Sequence, residues 1–420
     1  MSKTISIALA FVGLLVGAGF ATGAEVIQYF VSFGIPGLIG AVIAGIIMAA
    51  AGAVIFGLGS FFLADEHNKV FSNVSHPVMS KILDIAVTLT LFAIGFVMLA
   101  GAGSTLDQQW GIPSPLGAGI MALLVIGVGL LDVDKVSAVI SWLTPLIIVA
   151  VVGVFAYSMF NLPDTPLSEL SDIAASAESP VSPWWLSAIN YNGLALLLGV
   201  SMSLVIGGNH SNPTAAFRGG LVGGLLYTVL LVMAAVVLFL NFEAVVSADV
   251  PMLALYDNIS PILSTIMVLI IFAMIFNTSI GMFYALGRRL SASDNSRYRR
   301  WFIGATLAGY AVSFVGFDSL MTYVYPALGY TGVVVIGLLC VWYLRHRSTI
   351  NEEHERRLRM AELVETRVHP EQDFTEEHER ELQKLAKESV LPGEQVTETV
   401  TGEVEAKLAA DDSVEYDGQS

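Results

Sequence analysis

The sequence predicts an all-α integral membrane protein of ten transmembrane helices, and three observations carry that prediction. Charge is scarce: 13% of the 420 residues are Asp, Glu, Lys or Arg, against roughly 25% in an average soluble domain. Apolar residues make up 55% of the chain, with a mean hydropathy of +0.71. Ten apolar stretches follow one another, most near the ~20 residues that a helix needs to cross the hydrocarbon. They are continuously apolar rather than alternating, which excludes the strands of an outer-membrane barrel.

The stretches run over 5–31, 36–63, 82–104, 114–131, 136–160, 184–207, 216–240, 258–286, 301–316 and 320–344. The ninth is the shortest. The loops between them order the chain across the membrane. Lys3, Lys69, Lys81, Lys135, Arg218, Arg288, Arg289, Arg297, Arg299, Arg300, Arg345 and Arg347 all fall on one side. The opposite loops, around Gly34, at 105–113, 161–183, 241–257 and near Phe317, carry no Lys or Arg. The bias of basic residues toward the cytoplasm then places both termini inside a multi-pass protein of the cell membrane.

Three regions follow. Residues 1–347 form the membrane domain, 348–393 a charged cytoplasmic helical segment, and 394–420 an acidic tail expected to be disordered. Residues 351–420 hold 8 Lys/Arg and 20 Asp/Glu, so most of the net charge of −16 sits there. Thr349 with Glu352 reads as a capping box opening one helix. A second helix is expected at about 375–390. The tail is either a solvated appendage or a docking segment for a cytoplasmic partner. No basic face exists for nucleic acid. Cys340 stands alone, so neither a disulfide framework nor a Cys-rich metal site is available. No Walker-type, HExxH or GxGD string occurs, and no enzyme activity or resident cofactor is expected. The apolar outer faces fit monomer and dimer alike.

The first stretch is unusually rich in glycine, with Gly13, Gly17, Gly19 and Gly23 close together. Each costs a helix interior roughly 1 kcal/mol against Ala. Three readings stand: close helix packing at a spacing of four, a permissive but intact helix, or a discontinuous helix whose unwound backbone faces a ligand. The sixth stretch gathers Asn190, Tyr191, Asn192 and Gly193 about eight residues in. Buried polar groups need partners, so this is either a second break or a polar cluster beneath an interface marked by Trp184 and Trp185. Interruptions in the first and sixth of ten stretches occupy matching positions in two five-helix halves. Because five is odd, the halves insert in opposite senses. Paired broken helices of this kind mark the central site of a transporter.

The ten stretches with breaks in the first and sixth resemble the five-plus-five inverted repeat of the LeuT fold. Gly17-Ala18-Gly19 is similar to a signature of the amino acid–polyamine–organocation superfamily. The longer string from Gly17 to Glu25, followed by Gln28 and Phe30, resembles the YkvI-type family of bacterial membrane proteins. The resemblance covers about residues 1–345. It implies a small-molecule solute bound by Gly17, Ala18, Gly19, Phe20, Ala21, Thr22, Glu25, Asn190, Tyr191, Asn192 and Gly193. Amides of Ala18–Thr22 would face an anionic group, carbonyls near Asn190–Gly193 a cationic one. In sodium-coupled LeuT-type proteins an ion sits between the first and eighth spans. The corresponding oxygens here are the carbonyls of Gly13, Val16 and Ile275 and the hydroxyls of Thr278 and Ser279. For Thr278 and Ser279 the plain alternative is bonding to carbonyls of their own helix.

Glu25 is the other intramembrane charge of interest, and such groups are costly and usually functional. It can bind a substrate amine, carry a coupling proton, or make a structural hydrogen bond, with Asn190 a candidate partner. The function expected is ion-coupled symport, with Na⁺ as coupling ion, of a small amino-acid-like or amine solute. A receptor signalling through its tail, a passive channel and proton coupling through Glu25 remain alternatives.

Overall fold

The computed structural model describes residues 3–130, 143–291, 294–369 and 372–409, and among them there is no strand. Lys135 and Pro370 lie outside the described residues, as do the start of the stretch expected at 136–160 and residues 410–420.

Among the described residues, six helices are long and apolar enough to cross a membrane. They are α4 (Ile35–Phe62), α6 (Pro77–Trp110), α10 (Trp184–Gly208), α11 (Pro213–Leu240), α14 (Pro261–Leu290) and α16 (Phe317–Arg345). Each encloses its own backbone hydrogen bonds, as hydrocarbon requires. The proline near the start of α4, α6, α11 and α14 sits where its missing N–H costs nothing. The other four expected stretches are shorter or broken. They correspond to α1 to α3 (within residues 3–29), α7 (Ser114–Gly129), α8 (Leu143–Phe160) and α15 (Asn295–Ser313). Short connecting helices complete the membrane part: α5 (His67–Val74), α9 (Leu167–Ala175), α12 (Phe242–Val245) and α13 (Pro251–Ile259).

The helices pack in two groups. One joins α1, α4, α10 and α11; the other joins α6, α7, α14 and α15. Each group thus combines two neighbouring stretches from the first half with the matching two from the second. Helix α8 lies against α11 and α14, and α16 against α10 and α6.

The expectation of a second break, at Asn190–Gly193, is corrected: α10 is one unbroken helix of 25 residues. Asn190 is satisfied sideways rather than by unwinding. Asn190 donates to the Pro326 carbonyl at 3.0 Å and accepts from the Tyr29 hydroxyl at 3.1 Å. Asn192 donates to Ala188 of its own helix at 2.9 Å. A Cβ at Gly193 would overlap the Gly329 carbonyl, so Gly193 is the point where α10 and α16 touch backbone to backbone.

The tail differs from expectation as well. It forms α17 (Arg347–Val368), α18 (Glu376–Glu388) and α19 (Gly393–Ala409). Residues 394–409, expected to be disordered, are therefore helical. Val396, Val400, Val404 and Leu408 pack with Met360, Leu363, Val364 and Leu382 into one small core, which Leu63 joins from the end of α4. Thr349 does not cap a helix, because α17 already begins at Arg347. The capping box belongs to Thr375 and His378.

The three-helix tail is docked by charge. Arg357, 2% exposed, pairs with Glu353 at 2.8 Å and donates to the carbonyls of Ser60 at 2.8 Å and Phe61 at 2.7 Å. Glu403 accepts from Lys3 at 2.7 Å, from the Ser211 N–H at 2.9 Å and from the Ser211 hydroxyl at 2.5 Å. Both described ends of the chain therefore meet on one face, at the ends of α1 and α4 and the loop before α11.

Candidate functional site: a cavity at the broken first helix

Helix α1 (Lys3–Leu15) stops at Leu15, α2 spans Ala18–Thr22 and α3 spans Ala24–Tyr29. A glycine stands at each interruption, and at the second its backbone freedom is required. Gly17 is extended, with φ −95° and ψ −175°, and Gly23 takes the left-handed φ of 77° that side chains resist. At the first interruption the Gly17 N–H turns to Leu15 instead of Gly13. Among the described residues no donor then reaches the carbonyls of Gly13 or Val16, and the N–H groups of Ala18, Gly19 and Phe20 find no acceptor. The Thr22 hydroxyl closes the short piece by donating to Gly19 at 2.7 Å.

A cavity of about 550 Å³ opens against this unwound stretch. Of the sequence-predicted residues, it is lined by Gly13, Val16, Gly17, Ala18, Gly19, Phe20, Glu25, Tyr191 and Thr278. Ala21, Thr22, Asn190, Asn192, Gly193, Ile275 and Ser279 are absent from its wall. Asn190 and Gly193 hold helices together, as described above. Ile275 and Ser279 are fully buried, and the Ser279 hydroxyl has no described partner.

Glu25 is 8% exposed and accepts a hydrogen bond from Tyr325. The pairing with Asn190 considered from the sequence is not made. The Tyr191 and Tyr227 hydroxyls bond to each other, and the Tyr191 ring packs on Tyr29 and Phe30 at centroid distances of 5.5 and 4.9 Å. Helix α3 is the wall between two spaces. Its Glu25 faces the first cavity, while Ala24, Ile27 and Gln28 face a second of about 440 Å³, bordered by Glu178, Asp249 and Asp318.

Sequence reasoning missed the far end of the first cavity. Arg289 forms an ion pair with Asp84 and donates to His67 Nε2 at 3.1 Å, and His67 Nδ1 meets the Ser201 hydroxyl at 2.8 Å. Burial and the Arg289 charge hold the imidazole neutral, its pKa down to about 4. Because Nε2 accepts from Arg289, Nδ1 carries the hydrogen and donates to Ser201. The network links α6 and α14 of one helix group to α10 of the other through α5. No local motif signals it, since its four residues come from four separate segments. Tyr325 was also missed; its one sequence signal is the adjoining Pro326, inside an apolar helix.

This architecture, a helical membrane bundle with a cavity at a broken first helix, is that of the LeuT fold. The structure of MhsT in complex with L-phenylalanine superposes with a TM-score of 0.61 at 15% identity, covering 94% of this chain and 98% of that one. The inward-facing conformation of Mhp1 gives 0.54 at 14% identity, covering 82% and 77%. In sequence, the membrane protein YkvI of Bacillus subtilis is 27% identical over 348 residues, 81% of this chain and 97% of YkvI. YyaD of the same organism is 22% identical over 337 residues, 80% and 95%. No protein-family model matches the chain. The YkvI-type resemblance read from the first stretch is borne out, on a LeuT-type fold.

Proposed function

We propose that the chain is a secondary active transporter: a symporter that couples a small amino-acid-like or amine solute to sodium by alternating access. The observation that carries this reading is the cavity at the unwound backbone between α1 and α2, with a second cavity beyond α3. Exposed main-chain groups at mid-helix are tolerated where they line a site. The L-phenylalanine bound in MhsT supports an amino-acid-like solute.

Sodium is favoured by the oxygens near the break. Among the described residues the carbonyls of Gly13 and Val16 have no donor, and Thr278 lines the same cavity. Helical threonines elsewhere, such as Thr90, Thr228 and Thr306, bond to the carbonyl four residues back. Among the described residues, Thr278 and Ser279 make no such bond. Free neutral oxygens suit a hard monovalent cation, and the Ile275 carbonyl would complete the set. Proton coupling through Glu25 is the second reading, favoured by its burial beside Tyr325.

A thermal-shift screen of purified protein against amino acids and amines, with and without Na⁺, tests the proposal. A solute that stabilises the protein more strongly in Na⁺ than in K⁺ supports it. Equal shifts in both ions count against sodium. A sensor signalling through its tail would keep solute binding but lose its output when residues 348–420 are deleted, whereas a transporter keeps uptake.

A further inference from the structure

We propose that Glu25 is the seat of a positively charged nitrogen, so that the solute is a small organic cation with an apolar body rather than a zwitterion. The assignment deepens the transporter reading and rests on it for the cavity. Among the described ionisable side chains lining that cavity, apart from tyrosines, are Glu25, His67 and Arg289. Arg289 is already engaged by Asp84 and His67. It therefore has no free charge to offer a solute carboxylate, and among the described residues the neutral N–H groups of Ala18, Gly19 and Phe20 are what remains to meet an anion.

Glu25 stands in the opposite condition. It is more than nine-tenths buried, and its described partner is a single hydroxyl, from Tyr325. Two carboxylate oxygens accept about four hydrogen bonds when ionised, and an uncompensated buried charge is costly. Among the described residues no cationic side chain sits against it. The titratable groups around it are Tyr29, Tyr191, Tyr227 and Tyr325. Three of these have hydroxyls committed elsewhere: Tyr29 to Asn190, and Tyr191 and Tyr227 to each other.

The rings of Phe20, Tyr191 and Tyr325 line the cavity with it. A carboxylate among aromatic faces is the chemistry that recognises an alkylammonium ion, by charge and by attraction to the ring faces. Beyond the rings the wall turns apolar and pliable, with Ile94, Met98, Met202, Met274 and Met282. Methionine adapts to irregular apolar shapes. The cavity thus offers a cation seat at one end and an oily body site next to it, within the usual volume of small-molecule sites.

Three probes that share a phenyl body separate the possibilities: 2-phenylethylamine, L-phenylalanine and 3-phenylpropionate. Binding of each to purified full-length protein is measured by calorimetry for wild type, Glu25→Gln and Glu25→Asp, with gel filtration to verify folding. The amine is expected to bind at least about tenfold more tightly than the amino acid, with no binding of the acid. Glu25→Gln should weaken amine binding by about tenfold or more, and Glu25→Asp by less. Absence of amine binding overturns the assignment, as does an amino acid that binds as well as the amine. Unchanged amine affinity in a folded Glu25→Gln protein overturns it too. The transporter reading fails separately: an amine that binds through Glu25 but is never taken up into vesicles contradicts transport and leaves the cation seat standing.

Discussion

The Glu25 carboxylate lies directly against Gly19, so that a Cβ on residue 19 would overlap Oε1. One glycine thereby sets where the single acidic side chain described on the cavity wall can stand. Gly19→Ala should push the carboxylate aside without unfolding the protein, because the displaced atoms are the end of a flexible side chain. Solute affinity should fall by about tenfold, equivalent to about 1.4 kcal/mol, while expression and gel-filtration profile stay as in wild type. An alanine variant that binds normally would remove Gly19 from the site.

Asn190 behaves differently, since it bonds to two other helices rather than to the cavity. Asn190→Ala strands the Tyr29 hydroxyl in a buried position and removes the tie to the Pro326 carbonyl. Unsatisfied buried groups cost about 1–3 kcal/mol each. Thermal stability should drop clearly, and the affinity of whatever protein remains folded should change less than in Gly19→Ala. A stable Asn190→Ala protein with lost binding would return Asn190 to the solute site.

The tail is held by buried charge and should resist acid. Burial pushes the Glu403 carboxyl up, but hydrogen bonds from His210, Lys3 and Ser211 outweigh it and hold its pKa at about 2. A carboxylate held low when docked contributes stability above its free pKa, near 4.5, and loses it as pH falls toward 2. Hydrogen exchange in α19 should stay slow at pH 5 and accelerate below about pH 4. Arg357→Ala, which removes the ties to the Ser60 and Phe61 carbonyls and leaves Glu353 to Arg356 and Ser389, should cost about 1–3 kcal/mol of docking at neutral pH. Rapid exchange in the wild type at pH 7 would show that the tail is not docked.

The orientation follows from basic residues rather than from the fold. Ser176, exposed at the end of α9, is expected outside the cell. A Ser176→Cys change in a Cys340→Ala background should react with an impermeant thiol reagent on intact cells. Labelling only after lysis would reverse the topology.

What the sequence made legible, and what it hid, divides along one physical line. Apolar runs and glycine clusters report on a segment by itself, so the membrane helices and the broken first helix were readable. Asn190 and Asn192 also looked like a break, because polarity marks a need for partners without saying where the partners are. For Asn190 they came from Tyr29 and Pro326, far off in the chain, and for Asn192 from Ala188 of its own helix. The tail was misjudged for the converse reason. Its acidity suggested disorder, yet Val396, Val400 and Val404 repeat every four residues and bury one helix face. The Arg289, Asp84, His67 and Ser201 network exists only once four segments converge.

Uptake into proteoliposomes is the most direct test of ion-coupled transport at the broken helix. The solute identified by binding is offered under an inward Na⁺ gradient at equal pH, and under a pH gradient without Na⁺. Accumulation is expected with the sodium gradient, lost in the Thr278→Val/Ser279→Ala double variant and reduced but present in Glu25→Gln. Accumulation driven by the pH gradient alone, unaffected by the double variant and abolished in Glu25→Gln, would contradict sodium coupling; no accumulation under either gradient would contradict transport itself.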